Sequence, residues 1–183
     1  MMSIEMPKLT HCASTARTRN LLGAYSLALT DRIRNAAEAV AGCSGAGPAG
    51  IVQIGLYPGQ SIESLRHALG LTQSAATRLI ERLEHAGFVV NEKTDVTDGR
   101  KAVLSLSVRG TKVMNKILAV RESVIKDHLD LLNEQEQVQF GAFLEKLMTN
   151  LAATKTESDY VCRMCDMRNC PDDVCPVHFT QHP

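Results

Sequence analysis

The chain has 183 residues, with 20 Lys and Arg against 20 Asp and Glu, and 44% of it is apolar, a composition that excludes intrinsic disorder and fits one or two folded domains. Aromatics make up 4% and Trp is absent, so the interior must be assembled from Leu, Ile, Val, Ala and Met, which favours packed helices. No apolar run approaches the roughly 20 residues of a membrane span, and the neutral total removes any argument for nucleic-acid binding from bulk charge.

Charge is nevertheless uneven. Residues 1–35 carry five basic and two acidic groups, residues 60–112 eight against six, and residues 113–183 seven against eleven. Any DNA contact must therefore come from local placement of Arg and Lys, with the acidic end held away from phosphate.

Residues 1–16 show no period and are expected to be a flexible N-terminal arm. From about 17 to 41, Leu21, Tyr25, Leu29, Ile33, Ala36, Ala37 and Val40 recur at three- and four-residue steps, one stripe of an amphipathic helix. Leu21 to Leu29 follows Arg17 and Arg19 like an export signal, but no small-x-small site follows and Asp31, Arg32 and Arg34 come at once, so the cytoplasm is the expected compartment. Gly42 to Pro48 stops the helix. It contains Gly45-x-Gly47-x-x-Gly50, the letters of a dinucleotide loop, but a helix precedes it and Pro48 interrupts it, so it reads as a link between helices.

Pro48 sits at a favoured first helical position for a short helix to Leu56, ended by Pro58-Gly59. Ser61 caps a helix through Leu69; Gly70 closes it; Thr72 caps the next, Gln73 to Ala86, with Gly87 behind. Two helices joined by a short turn at a glycine have the outline of a helix-turn-helix. Phe88-Val89-Val90 and Val103 to Ser107 have strand composition, and the polar run Asn91 to Lys101 between them makes a hairpin. Beyond Gly110, Val113, Ile117, Val120, Val124 and Leu131 mark one long helix. After a cap at Asn133, Phe140, Phe143, Leu144, Leu147 and Leu151 mark another. Thr154 to Asp159 reads as a polar linker.

At 100° per residue, Ala76, Leu79, Ile80 and Leu83 of the Gln73 helix share one inward face. The opposite face presents Ser74, Thr77, Arg78, Glu81 and His85, with Gln73 in the first turn. An α-helix fits the major groove of DNA, where Arg donates twice to guanine and Gln pairs with adenine. Gln73, Ser74, Thr77 and Arg78 are therefore candidate base readers, and Arg82, to the side, a phosphate contact. Lys93, Arg100 and Lys101 cluster at the hairpin tip, where a guanidinium can enter a minor groove, and Asp98 can orient Arg100. The plainer alternative is a solvated helix face and turn.

The order of these elements resembles the MarR family of winged-helix transcription regulators, carried by the stretch Ser61 to Phe88, then Asp98-Gly-Arg100 and Leu104-Ser-Leu-Ser-Val-Arg-Gly110, within residues 20–153. The resemblance implies a mainly α fold, an α+β winged helix. It also implies a homodimer built from the terminal helices, double-stranded DNA with a pseudo-palindromic operator as partner, usually repression, and release by a small ligand or thiol oxidation. Arg100 would be the wing-tip arginine and Gln73 to Arg82 the recognition helix. The expected division is an arm at 1–16, dimer-side helices at 17–56, a winged helix-turn-helix lobe at 57–110, dimerisation helices at 111–153 and a cysteine-rich metal-binding tail at 154–183. The glycine-rich link at 42–50 and the tail depart from the family's common core.

That tail holds Cys162-x2-Cys165-x4-Cys170-x4-Cys175. Four thiols within fourteen residues of a chain expected in a reducing compartment point to one tetrahedral site, and thiolates select zinc or iron–sulfur chemistry over magnesium or calcium. Zinc is the first choice. The prolines after Cys170 and Cys175 favour a cluster, and metal-free thiols that form disulfides on oxidation are the third reading. Arg163 and Arg168 can offset thiolate charge. His178 and His182 are expected to be solvated rather than ligands, and Cys12 and Cys43 passive.

The functional expectation is a dimeric, metal- or redox-responsive regulator and not an enzyme, because no catalytic constellation can be assembled from these residues. The alternatives are a redox metalloprotein on a helical scaffold and a knuckle-type binder of single-stranded nucleic acid. The second is weakened by the lack of an aromatic among the cysteines to stack a base.

Overall fold

The computed structural model describes residues 15–93, 102–170 and 173–177. The order is α1 (Thr15–Ala41), α2 (Gly47–Leu56), α3 (Ile62–Ala68), α4 (Gln73–His85), β1 (Val89–Lys93), β2 (Ala102–Leu106), α5 (Val108–Leu129), α6 (Glu134–Met148) and α7 (Lys155–Val161). This is a mainly helical protein with one small antiparallel hairpin.

Local chemistry sets the helix ends. The hydroxyl of Ser61 accepts a hydrogen bond from the Ser64 amide at 3.0 Å, and that of Thr72 accepts from the Ala75 amide at 3.3 Å. Gly70 ends the first of these helices with φ of +63°, and Gly87 closes the second with φ of +70°; left-handed backbone of this kind costs a side-chain-bearing residue roughly 1–2 kcal/mol. The core then forms where the apolar faces meet. Ile51, Val52 and Ile54 of α2, Leu65 of α3, Leu79, Ile80 and Leu83 of α4, Phe88, Leu104 and Ile117 make one buried cluster.

The Gly45–Gly50 stretch joins two helices, turning at Gly45 with φ of +67°, and its other two glycines serve this packing. α2 begins at Gly47, where a Cβ would stand 2.5 Å from the Cys43 sulfur, and at Gly50 it would stand 3.2 Å from Leu79. Glu38 accepts the Gly45 amide at 2.8 Å, tying the link back to α1.

β1 pairs antiparallel with β2 from Val89↔Leu106 to Lys93↔Ala102. The strands run further than their apolar letters suggest, since Asn91, Glu92 and Lys93 lie in the ladder rather than in the turn. Gln60 adds a bridge to Leu104 on the other edge, and its side-chain amide donates to the Gln53 carbonyl at 2.8 Å. The hairpin base is clipped to α5: the Ser107 hydroxyl donates to the Gly87 carbonyl at 2.6 Å, and the Arg109 guanidinium lies 5.0 Å from the centre of the Phe88 ring. Ser107 also caps α5, which therefore starts before Gly110.

Three further expectations are corrected. Leu131 is 82% exposed, because α5 ends at Leu129 and the chain turns before the stripe is complete. Thr154 to Asp159 is not a linker: Thr154 caps α7, Glu157 closes the capping box, and Lys155 pairs with Asp159 at 2.9 Å. The predicted stripe of α1 is covered only toward its C-terminal end, where Ala37 and Ala41 are buried, while Leu21, Leu22, Tyr25 and Leu27 face solvent. α6 has no buried residue at all, and Val138, Phe143, Leu144 and Leu147 are exposed along it.

Candidate functional site

α4 presents its candidate readers outward. Ala76, Leu79, Ile80 and Leu83 seal the inner face, so Gln73, Ser74, Thr77, Arg78 and Arg82 are all exposed. At its N-terminal end the Thr72 hydroxyl accepts from the Ala75 amide and lies 3.3 Å from the Ser74 hydroxyl. Thr77 donates its hydroxyl to the Gln73 carbonyl at 3.1 Å. Among the described residues no hydrogen bond or ion pair engages Arg78, so its guanidinium has both edges available for a base. Arg82 lies one turn further along, and its charge is felt at Cys43, whose thiol burial nevertheless pushes up.

The turn between α3 and α4 is braced by a device the sequence analysis did not single out. Arg66 donates to both carboxylate oxygens of Glu63, at 2.9 and 2.6 Å, and to the Leu71 carbonyl beyond the turn at 3.3 Å. The Arg66 hydrogen bonds, with a further one from His67, hold the Glu63 carboxyl down at about 2. The i, i+3 spacing of Glu63 and Arg66 was its visible signal. In the hairpin, Lys93 ends β1; Asp98, Arg100 and Lys101, the predicted tip, lie outside the described residues.

The tail brings its cysteines near enough to influence one another: Cys165 lowers the acidity of Cys162, and Cys175 that of Cys170. All four are free, half-buried thiols. As placed they are a cluster of thiols and not a closed cage: among the described residues no three Cys, His, Asp or Glu converge to hold an ion. A soft cation would have to displace the thiol protons and draw the sulfurs in. The donor set suits such a cation. Cys165 is shifted toward its thiolate by the hydrogen bond from Cys162, with Arg121 and Arg163 adding positive charge, and Cys162 is shifted the other way because it keeps its proton to donate. His178 and His182 lie outside the described residues, as does Cys12.

The tail is docked rather than trailing. Ser158 and Val177 are buried and Met164 packs on the core. The Tyr160 ring lies over Gly70, close enough that a Cβ there would be 3.1 Å from its edge. A cleft of about 410 Å³ is shared by Ile33 and Arg34 of α1, Leu69, Arg121 of α5, and Arg163 and Cys165 of the tail. Arg121 and the contact of Tyr160 with Gly70 escaped the sequence analysis because the residues they meet, Cys165 and Gly70, are more than forty residues away along the chain.

No family model matches the sequence. Over 112 residues the chain is 29% identical to the HTH-type transcriptional regulator BilQ of Clostridium symbiosum, a stretch covering 61% of this chain and 73% of that protein. Among solved structures, the YusO protein of Bacillus subtilis superposes with a TM-score of 0.63 at 20% identity, over 74% of this chain and 94% of that one. The MarR family protein Rv2887 of Mycobacterium tuberculosis, solved in complex with DNA, superposes with a TM-score of 0.54 at 23% identity, over 69% and 96%. The fold is that of the MarR-type winged-helix proteins, and the matched share leaves room for a tail beyond it.

Proposed function

We propose that this chain is a MarR-type transcription regulator that binds double-stranded DNA as a homodimer, with α4 in the major groove and the β1–β2 hairpin against the backbone beside it. The observation that carries this reading is the exposed Arg78 guanidinium, unengaged among the described residues, on the outward face of a helix whose opposite face is sealed into the core. Gln73, Ser74 and Thr77 stand with it toward base edges, while Arg82, Lys93, Arg100 and Lys101 supply phosphate or minor-groove contacts. The DNA complex of Rv2887 and the regulator BilQ support the same assignment by likeness.

Two copies are needed because one reading helix covers too few base pairs to select a genomic site. The uncovered apolar faces of α1 and α6 offer the surface to join them. Two heads held one helical turn apart fit a pseudo-palindrome, and occupancy of such a site blocks polymerase, which makes repression the expected outcome. This work is done in the cytoplasm.

Cys162, Cys165, Cys170 and Cys175 would hold the metal, zinc before an iron–sulfur cluster, and the group would supply a folding cross-link for a polar segment rather than a reaction. Selection from a random DNA pool by the purified full-length chain tests the reading. An enriched two-fold motif with half-sites about 34 Å apart is expected, and recovery of no motif would overturn it.

A further inference from the structure

A second cavity, of about 150 Å³, lies where α2, α3 and α7 meet, and it shares no lining residue with the larger cleft. Gln53 and Tyr57 wall it from the α2 side, Gln60 and Ser64 from the α3 side, and Lys155 and Asp159 from α7. Gln53 stands between Val52 and Ile54 in the buried part of α2 and is itself only 2% exposed. Its backbone carbonyl accepts from the Gln60 side chain at 2.8 Å. Its own carboxamide opens on the cavity and has no hydrogen-bond partner among the described residues. A buried amide left in this way is destabilising until something bonds to it, so it marks a place suited to receive a polar group. At the rim, the Lys155 ammonium donates to both carboxylate oxygens of Asp159, at 3.0 and 2.9 Å.

We propose that this cavity binds a small zwitterion ending in a carboxamide, of the class of free glutamine and asparagine. The volume equals about five waters at roughly 30 Å³ each, which gives room for one such molecule. Gln53 offers a donor and an acceptor on one planar edge, and only a partner carrying both on its own edge satisfies the two together. A carboxylate in that place would set oxygen against oxygen. Lys155 and Asp159 are a fixed pair of opposite charges, against which an α-ammonium and an α-carboxylate lie antiparallel. A ligand with a single charge would meet a like charge in that pair, so the rim selects against it. The Ser64 hydroxyl and the Gln60 side chain supply further polar contacts on the α3 side.

The same helix carries the consequence outward. Tyr160 follows Asp159 directly, and its ring lies over Gly70, the turn glycine before α4. A ligand that bonds Gln53 of α2 and the Lys155–Asp159 pair at once draws α7 against the body and holds the ring on the turn. This regulatory step rests on α4 being the helix that contacts DNA; the ligand site itself does not.

The test is an isotope-edited NMR titration of the full-length chain without DNA, with L-glutamine, L-asparagine and L-glutamate as probes, and amide hydrogen exchange followed at residues 69–72. Glutamine or asparagine is expected to give saturable shifts at residues of α2, α3 and α7 and to slow exchange at 69–72, with glutamate binding at least about tenfold more weakly. Gln53→Met, similar in shape, should weaken binding about tenfold or more. Asp159→Asn, at the exposed rim, should also weaken it while the spectrum stays that of the folded chain. Tyr160→Ala should bind like the wild type but lose the protection at 69–72; retained protection there would overturn the link to the turn with the site intact. Absence of saturable shifts with either amide, equal binding of glutamine and glutamate, or undiminished binding by Gln53→Met would overturn the site and leave the cavity to water. Neither measurement involves DNA, so its failure is distinct from failure of the operator selection.

Discussion

At the scale of residues, function rests on what each exposed side chain is free to do. Arg100 is expected to contact the backbone and not base edges, so Arg100→Ala should weaken binding to all DNA sequences alike and reduce the slope of log affinity against log salt by about one, read by fluorescence anisotropy over a salt series. Unequal losses across sequences would give it a reading role. Glu63 makes a separate prediction. Its carboxyl is held from an ordinary 4.5 down to about 2 by Arg66 and then His67. A depressed carboxylate stabilises the fold above its unfolded value, and that contribution drains away as pH falls through the folded one. Acid titration followed by circular dichroism should therefore show stability falling from about pH 4.5 toward 2, with a flatter limb in Glu63→Gln; identical limbs would mean the clip contributes nothing in solution. The inward and outward sets of α4 could be read from sequence because a helical period is local, so Ala76, Leu79, Ile80 and Leu83 declare each other. Arg121 had no such neighbour to declare it. Its place in the cleft exists only after residues 121 and 165 are brought together by the fold.

At the scale of elements, the expectations held where a cap, a period and a glycine agreed, as at Ser61, Thr72, Gly70 and Asn133. They failed at α7, seven residues with only Val161 and Tyr160 to bury, where the polar letters outweighed a Thr154–Glu157 capping box that was present in the sequence all along. That helix matters because it carries Tyr160 to Gly70. Gly70→Ala should lower stability by about 1–2 kcal/mol from backbone conformation alone, measured as a lower urea midpoint, with the Tyr160 contact adding to the loss; an unchanged midpoint would mean the turn relaxes. Thr154→Ala should loosen α7 by about 1 kcal/mol, visible as faster amide exchange confined to residues 155–161. The hairpin was readable in its apolar halves only, because Asn91 to Lys93 owe their strand conformation to ladder partners across the turn and not to their own preferences.

At the scale of the whole molecule, the exposed apolar residues of α1 and α6 are the largest feature a single chain leaves unexplained. Their helical spacing was visible in the sequence, but whether a stripe faces its own core or a second chain depends on which helices the chain can bring against it, and among the described residues none buries any part of α6. Placing charge there, as in Phe143→Asp with Leu147→Asp, should weaken self-association about 100-fold or more and yield the mass of one chain in sedimentation equilibrium. Retention of the dimer would move the interface elsewhere. The central claim remains that a cation on the outward face of α4 reads DNA. It is tested most directly by measuring, at one fixed salt concentration, the affinity of wild type and Arg78→Ala for the selected motif and for a scrambled duplex of equal length. The account predicts a loss of about 1–3 kcal/mol on the motif and almost none on the scrambled duplex; equal losses on both, or none on either, would contradict it.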